Sequence, residues 1–449
     1  MSSPFVLKSK NVLTYRWQES RPATILINDG KIEKISDYKQ SFPGLAIHDH
    51  QELTIMSGLV DTHAHINEPG RTEWEGFATA TRAAAAGGIT TVIDMPLNSI
   101  PATTSLASLQ TKINSAKNNC SIDYGFWGGV IPGNADELEA MIRAGIMGFK
   151  CFLCPSGVDE FPHCSRADLE IAMPILARHK IPLLVHAELE APVSSRYTDP
   201  SDYRTYLESR PDQWEVNAIC MMIDLAKMTG CQVHIVHLSA AQALLNIHEA
   251  QQAGVPITVE TCPHYLVFAA EEIHSGATHF KCAPPVRGRQ NRDQLWQGIK
   301  DRTIEFIVSD HSPCLPALKL MESGDFQKAW GGIAGLQFSM SSVWTEMQAR
   351  NFSLFDLTDM MSYRTAKFLG LEQQKGQIQE GCDADLVIWD PKTEFIVDSE
   401  HIFHRHKVTP YLGKKLFGKV EMTYLRGQKI FAQNKFLNSG VGHEVLRRP

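Results

Sequence analysis

Between residues 53 and 311 one pattern recurs eight times: a short, almost continuously apolar run, then a longer stretch with helical spacing. The runs are "LTIMSGLVDTHAH", "GITTVIDMP", "IDYGFWGGV", "IMGFKCFL", "IPLLVHAE", "CQVHIVHLS", "VPITVETCPHY" and "IEFIVSDHS". Runs this rich in Val, Ile and Leu, without a regular polar face, fit strands covered on both sides. Between them lie stretches such as "WEGFATATRAAAAGG", "NADELEAMIRAG" and "WEVNAICMMIDLAKMTG", several closing on Gly, the usual helix stop. "SLFDLTDMMSYRTAKFLG" supplies a helix after the eighth run. The pattern predicts an α/β fold, a (β/α)8 barrel, which takes about 250 residues or more.

The two ends read differently. Residues 1–57 carry short strands with an Asp-Gly turn signal at Asp29–Gly30, and "GCDADLVIWD" and "VEMTYLRGQKIF" near the other end look similar. The expectation is a small composite β-sandwich domain from residues 1–57 and 373–449, flanking a barrel of residues 58–372.

The formal net charge of −7 leaves no electrostatic footprint for nucleic acid. No apolar run approaches the roughly 20 residues that span a bilayer. The first residues carry no apolar core with a small-residue cleavage site. Neither a nucleic-acid nor a membrane partner is therefore expected, and a cytoplasmic location is. The ten cysteines are scattered, which suits reduced thiols rather than a disulfide framework. Cys151 and Cys154 form a CxxC pair with no second pair to complete a zinc site.

The chemistry gathers at the strand ends. His63 and His65 lie two residues apart in "DTHAH" and so face the same way, as does Asp61, a candidate to orient a ligating imidazole. That pair alone does not decide between a metal site and coincidence. Lys150, with Phe149 and Phe152 beside it in the fourth run, is costly to bury as an ammonium. It either snorkels to the surface or has a depressed pKa and reacts as a neutral amine, able to take up carbon dioxide as a carbamate. His186 ends the fifth run with Glu188 on its side; His237 ends the sixth. His234, three residues before His237, is expected to face outward against a helix. Asp310 ends the eighth run; His311, of opposite parity, is assigned to packing or support. His63, His65, Lys150, His186, His237 and Asp310 thus share the face where barrel enzymes place their chemistry. They suit a pair of borderline divalent metals, zinc foremost.

The set "HAH … K … H … H … D" on this scaffold resembles the cyclic-amidohydrolase branch of the amidohydrolase superfamily, which holds dihydroorotases, hydantoinases (dihydropyrimidinases) and allantoinases. "GLVDTHAH", "AAAAGGITTVIDMP", "TCPHY" and "GCDADLVIWD" carry the likeness over essentially the whole chain. "EPGRTEWEGF", "MPLNSIPATT", "GFKCFLCPSG", "SDHSPC" and "KAWGGIAGLQ" are similar to the allantoinase group within it. The resemblance implies two divalent metals, Zn2+ by preference. His63, His65 and Asp310 would hold one, His186 and His237 the other, and a carbamate on Lys150 would bridge them. It further implies hydrolysis of the cyclic amide of allantoin to allantoate by a metal-bridging hydroxide, with Asp310 as base and then acid.

Substrate contacts would come from Asn98, Ser312 and backbone groups around Cys282, Ala283 and Gly335. Asn98 reads equally as a turn residue, and family members often carry Ser where Ala283 stands. Asn67 occupies the place where dihydroorotases carry an arginine for the substrate carboxylate; an asparagine offers neutral hydrogen bonds and suits a neutral ureide. A homo-oligomer, a tetramer, is implied too. The alternatives are a hydantoinase or dihydropyrimidinase, and a non-catalytic relative serving as a scaffold. A scaffold relative is expected to have lost ligands that are all present here.

Overall fold

The computed structural model describes residues 3–447. Eight parallel strands form the barrel: Leu59–Ala64, Ile89–Asp94, Asp123–Phe126 continued by Gly128–Gly129, Phe149–Phe152, Leu183–His186, Val233–Ile235, Ile257–Thr261 and Phe306–Ile307. The third is interrupted at the buried Trp127: its first part pairs with the second strand, its second part with the fourth. Closure comes from the main chain beyond the eighth strand. His65 N donates to His311 O at 2.7 Å, and Ser309 N donates to Asp61 Oδ2 at 3.0 Å. The ring therefore has no free edge.

Side chains alternate across each strand. Leu59, Val92, Phe149, Leu183, Val233 and Ile257 face the surrounding helices, while Val60, Ile93, Trp127 and Leu184 fill the interior. Helices Phe77–Ala86, Leu106–Ala116, Ala135–Arg143, Arg166–Arg178, Asp212–Thr229, Leu244–Gln252 and Arg289–Lys300 cover the outside. Past the eighth strand comes Ser339–Ala349. The stretch read as one helix is then three segments, Leu354–Thr358, a π-helical turn Asp359–Tyr363, and Arg364–Leu369, which stops at Gly370 in the left-handed conformation (φ 74°).

A nine-stranded sheet draws on both ends of the chain and makes the small β-sandwich part of the fold. Its N-terminal strands run from Phe5–Leu13 to Thr54–Ser57, its C-terminal strands from Leu386–Ile396 to Lys435–Phe436. Thr54–Ser57 pairs antiparallel with residues 386–389 and so joins the two ends. The Asp-Gly turn forms as read, with both residues at positive φ (48° and 77°), the geometry that matches strand twist in a hairpin. Two C-terminal segments leave this sheet for the barrel. Val445 N donates to Tyr124 O at 2.7 Å, and Thr409 Oγ1 donates to Ala334 O at 2.6 Å.

The two parts are tied by a buried ion cluster. Lys375 Nζ lies 2.7 Å from Asp123 on the third barrel strand, 2.7 Å from Asp385 and 3.2 Å from Asp383. Arg426 makes a second ion pair to Asp123. Lys375→Met would leave three buried carboxylates without their central cation, and breaking a buried pair in this way costs roughly 3–5 kcal/mol. A urea or thermal unfolding curve is expected to show that loss. A melting point equal to the parent's would mean that the cluster does not hold the fold together.

Candidate metal centre

The first strand delivers His63 and His65 to the top of the barrel, where both Nε2 atoms approach one carboxylate oxygen, Asp310 Oδ1, at 3.1 and 3.5 Å. Across the cavity His186 Nδ1 and His237 Nε2 stand 3.0 Å apart. His237 and Asp310 lie just past their strands in left-handed backbone conformations (φ 41° and 43°). Such positions are rare for residues with a Cβ and cost on the order of 1–3 kcal/mol each, so the surroundings must impose them.

Two buried glutamates set the imidazole tautomers. Glu260 Oε1 lies 2.5 Å from His63 Nδ1, and Glu188 Oε2 lies 2.6 Å from His186 Nε2. A carboxylate accepts the N–H, so the other ring nitrogen keeps a lone pair. That leaves His63 Nε2, facing Asp310, and His186 Nδ1, facing His237, as lone-pair donors. Burial opposes ionisation of Glu188, but Arg210, with Nε 3.0 Å from Oε1, and His186 bring it down to about 2. Glu260 also falls to about 2, burial again being outweighed by His63 and His234.

This arrangement calls for cations. A lone pair on His63 Nε2 facing the Asp310 carboxylate is repulsive unless something positive lies between them. With protons alone to draw on, the site recruits one: burial would lower the His63 pKa, yet Asp310 and Glu260 lift it to about 9. Asp310 is held well below the usual carboxylate range, against burial, by His63, His65 and His237. The donor set of buried nitrogens and one carboxylate suits a borderline divalent ion. Lys150 is buried between the two halves, and burial outweighs the nearby Asp310 and Glu260 to lower its pKa to about 8. Its neutral amine is therefore accessible near neutral pH.

The cavity above these groups is lined by His65, Lys150, His186, His237 and Asp310, with Asn98, Cys282, Ala283 and Ser312 on its walls and Trp330, Gly331 and Gly332 at its mouth. Asn98 lies at φ 62° with Nδ2 3.4 Å from His65 Nδ1, so it is a turn residue and a wall residue at once. Asn67 and Gly335 are not part of the lining. Asn67, at φ 66° and buried, donates from Nδ2 to Pro313 O at 3.2 Å; Gly335 N donates to His311 Nδ1 at 3.2 Å.

Three supporting residues differ from the sequence reading. Asp61 does not orient an imidazole: its carboxylate accepts the backbone N–H groups of His63 and Ser309. Glu260 takes the imidazole role instead; the only signal was a lone carboxylate in an otherwise apolar run. His234 does not face outward; the helix residue it meets, Phe368, approaches from the inside of the barrel. His234 lies in one register row with Lys150, Leu184 and Thr258, inside the barrel. Opposite facing of His234 and His237 would need a strand reaching His237, but the strand ends at Ile235 and His237 turns inward by its positive φ. His311 is a supporting residue as read, with Nε2 3.4 Å from Glu75 Oε2. His264 of "TCPHY" was passed over; it is buried within reach of Cys262 and Asp310.

A closed barrel with this donor set at its C-terminal face defines the class of metal-dependent barrel hydrolases. The model of the amidohydrolase family matches residues 54–429. The chain is 46% identical to an allantoinase of Streptomyces avermitilis (96% of each chain covered) and 44% identical to an allantoinase of Arabidopsis thaliana (92% of this chain, 84% of that one). Among solved structures it is similar to an L-hydantoinase (dihydropyrimidinase) from Arthrobacter aurescens, with a TM-score of 0.91 at 30% identity over 99% of this chain and 100% of that one. The chain belongs to the amidohydrolase family, whose members of this kind hold a divalent metal centre.

Proposed function

We propose that the chain is an allantoinase: it opens the hydantoin ring of allantoin by hydrolysis of the cyclic amide, giving allantoate. One observation carries the reading: His65, His186, His237, Asp310 and a buried lysine line one cavity, with His63 against Asp310 behind them, in a chain 42–49% identical to allantoinases from several kingdoms.

His63, His65 and Asp310 would hold one divalent ion, His186 and His237 a second, and Lys150, carbamylated, would bridge them; zinc suits these donors best. Bound there, the ions supply Lewis acidity, which lowers the pKa of water and polarises the amide carbonyl. The chain's own residues do the rest. Asp310, ionised and at the cavity floor, takes a proton from the attacking water and returns it to the ring nitrogen as the C–N bond breaks. Asn98, Ser312 and main-chain groups at Cys282 and Ala283 line the space where the ureide's neutral carbonyl and N–H groups need partners. Asn67 and Gly335 act from outside the lining: Asn67 holds Pro313 O, next to Ser312, and Gly335 N donates to His311 Nδ1.

Asn67→Arg would replace a buried amide that holds Pro313 O, next to the wall residue Ser312, with an uncompensated guanidinium. It is expected to raise KM for allantoin by more than about tenfold, the order expected of an uncompensated buried charge. Unchanged allantoin kinetics would remove this position from substrate selection.

The hydantoinase reading is favoured by the Arthrobacter structure. Side-by-side turnover of allantoin, hydantoin and dihydrouracil by protein of measured metal content separates the two. Allantoin is expected to be the preferred substrate; zinc-loaded protein that opens only hydantoin would overturn the proposal. Protein isolated metal-free from metal-replete cells would favour a scaffold. We further take the protein to be a cytoplasmic homotetramer. Its ten free cysteines suit a reducing compartment, and no helix among the described residues is long and apolar enough to cross a membrane. Sedimentation and cell fractionation test both points.

A further inference from the structure

We propose that His234 is a positioning residue for His63, acting through Glu260 from the interior of the barrel. His234 is completely buried, as is Glu260. Its Nε2 lies 3.0 Å from Glu260 Oε2, and the opposite oxygen of that carboxylate lies 2.5 Å from His63 Nδ1. The other ring nitrogen, Nδ1, is 2.7 Å from Thr258 Oγ1, on the strand beside it. The four groups form one continuous chain from the metal centre down through the barrel.

The polarity of that chain is fixed at Glu260. A carboxylate only accepts, so His63 Nδ1 and His234 Nε2 each bring an N–H to Glu260. At its other ring nitrogen, Nδ1, His234 meets the Thr258 hydroxyl, which can serve as either donor or acceptor. The consequence at the top is a His63 whose Nε2 carries a lone pair and points at the metal site. Glu260 is completely buried, and an unpaired carboxylate oxygen at this depth would pull the group away from its position or take up a proton. Either change frees His63 to rotate or to change tautomer.

The rival account is that His234 is an aromatic filler. Its ring does stack on Phe306 (centroids 5.0 Å apart, 16° between planes) and touches Phe368 (4.5 Å). The two accounts predict opposite orders for two substitutions. His234→Phe keeps the ring and loses the N–H donor. His234→Gln loses the ring and keeps an amide N–H at a similar reach.

The proposal rests on the reading of His63 as a metal ligand, so the test measures metal directly. Parent, His234→Phe, His234→Gln and a His63→Ala control are loaded with zinc, and release to a chromogenic chelator is followed alongside thermal unfolding. His234→Phe is expected to lose zinc at least about tenfold faster than the parent, the scale on which outer partners of metal ligands act. His234→Gln is expected to stay near the parent rate. Parent-like release from the Phe variant, or equally fast release from both, overturns the proposal while leaving the ligand reading intact. A parent that retains no zinc, or a His63→Ala protein that retains it normally, overturns both. Should the Phe variant not fold, Thr258→Val, which unties the outer end of the chain, carries the test: faster zinc loss supports the proposal, and the parent's rate overturns it.

Discussion

Lys150→Ala protein is expected to lose both its metal and its allantoin turnover, and to regain part of each when a short carboxylate such as formate or propionate is added. The lysine is buried among His186, His237 and Asp310, where an ammonium would repel any cation the histidines attract. Burial drives its pKa to about 8, so a neutral amine competent to add carbon dioxide is available near neutral pH. Carbamylation converts an unfavourable buried cation into an anion with two oxygen donors. Alanine removes that anion and leaves a gap of the right size for a small acid. Without metal, water keeps its ordinary high pKa rather than falling to about 7, so the loss is expected to exceed roughly a thousandfold. Full turnover by Lys150→Ala in buffer free of small carboxylates would dismiss the bridging carbamate.

Asp310→Asn should separate binding from turnover. The carboxamide keeps one oxygen near His63 and His65, so metal content is expected to fall little. What it lacks is a base: an amide does not accept a proton from water at neutral pH. Loss of a general acid–base group costs roughly 10²–10⁴-fold in rate. The fall is expected in kcat, with KM for allantoin near the parent value, because the walls at Asn98, Ala283 and Ser312 are untouched. Metal-replete Asp310→Asn protein turning over within about threefold of the parent would put the proton on another group, since a shuttle is worth far more than that. His264, buried near Asp310, would then be the first to examine.

Much of the architecture was legible in the chain. Strands buried on both faces write themselves as apolar runs, because no position may be polar without a partner. The six donors stood out because polar residues at the ends of such runs break that rule. The supporting shell was harder to read. Glu260 sits inside an apolar run and resembles any tolerated polar residue until His63 and His234 are seen on either side of it. Asp61 shares the parity of His63 and His65, yet its carboxylate is spent on backbone N–H groups, including one brought by the eighth strand. Arg210, a long way from Glu188 in the chain, reaches it only through the fold.

By itself, then, the sequence determined the alternation that closes a barrel, the joining of both ends in one sheet, and the face on which the donors collect. Each follows from local periodicity and from the cost of burying polar groups. Only the tertiary structure decided how those donors are aimed. His237 and Asp310 lie past their strands in left-handed conformations that no periodicity encodes, and the early end of the sixth strand at Ile235 lets His234 and His237 both point inward despite their spacing. Glu188 stands two residues from His186, but the His63 tautomer is set by Glu260, 197 residues away, and that meeting exists only once the barrel has closed.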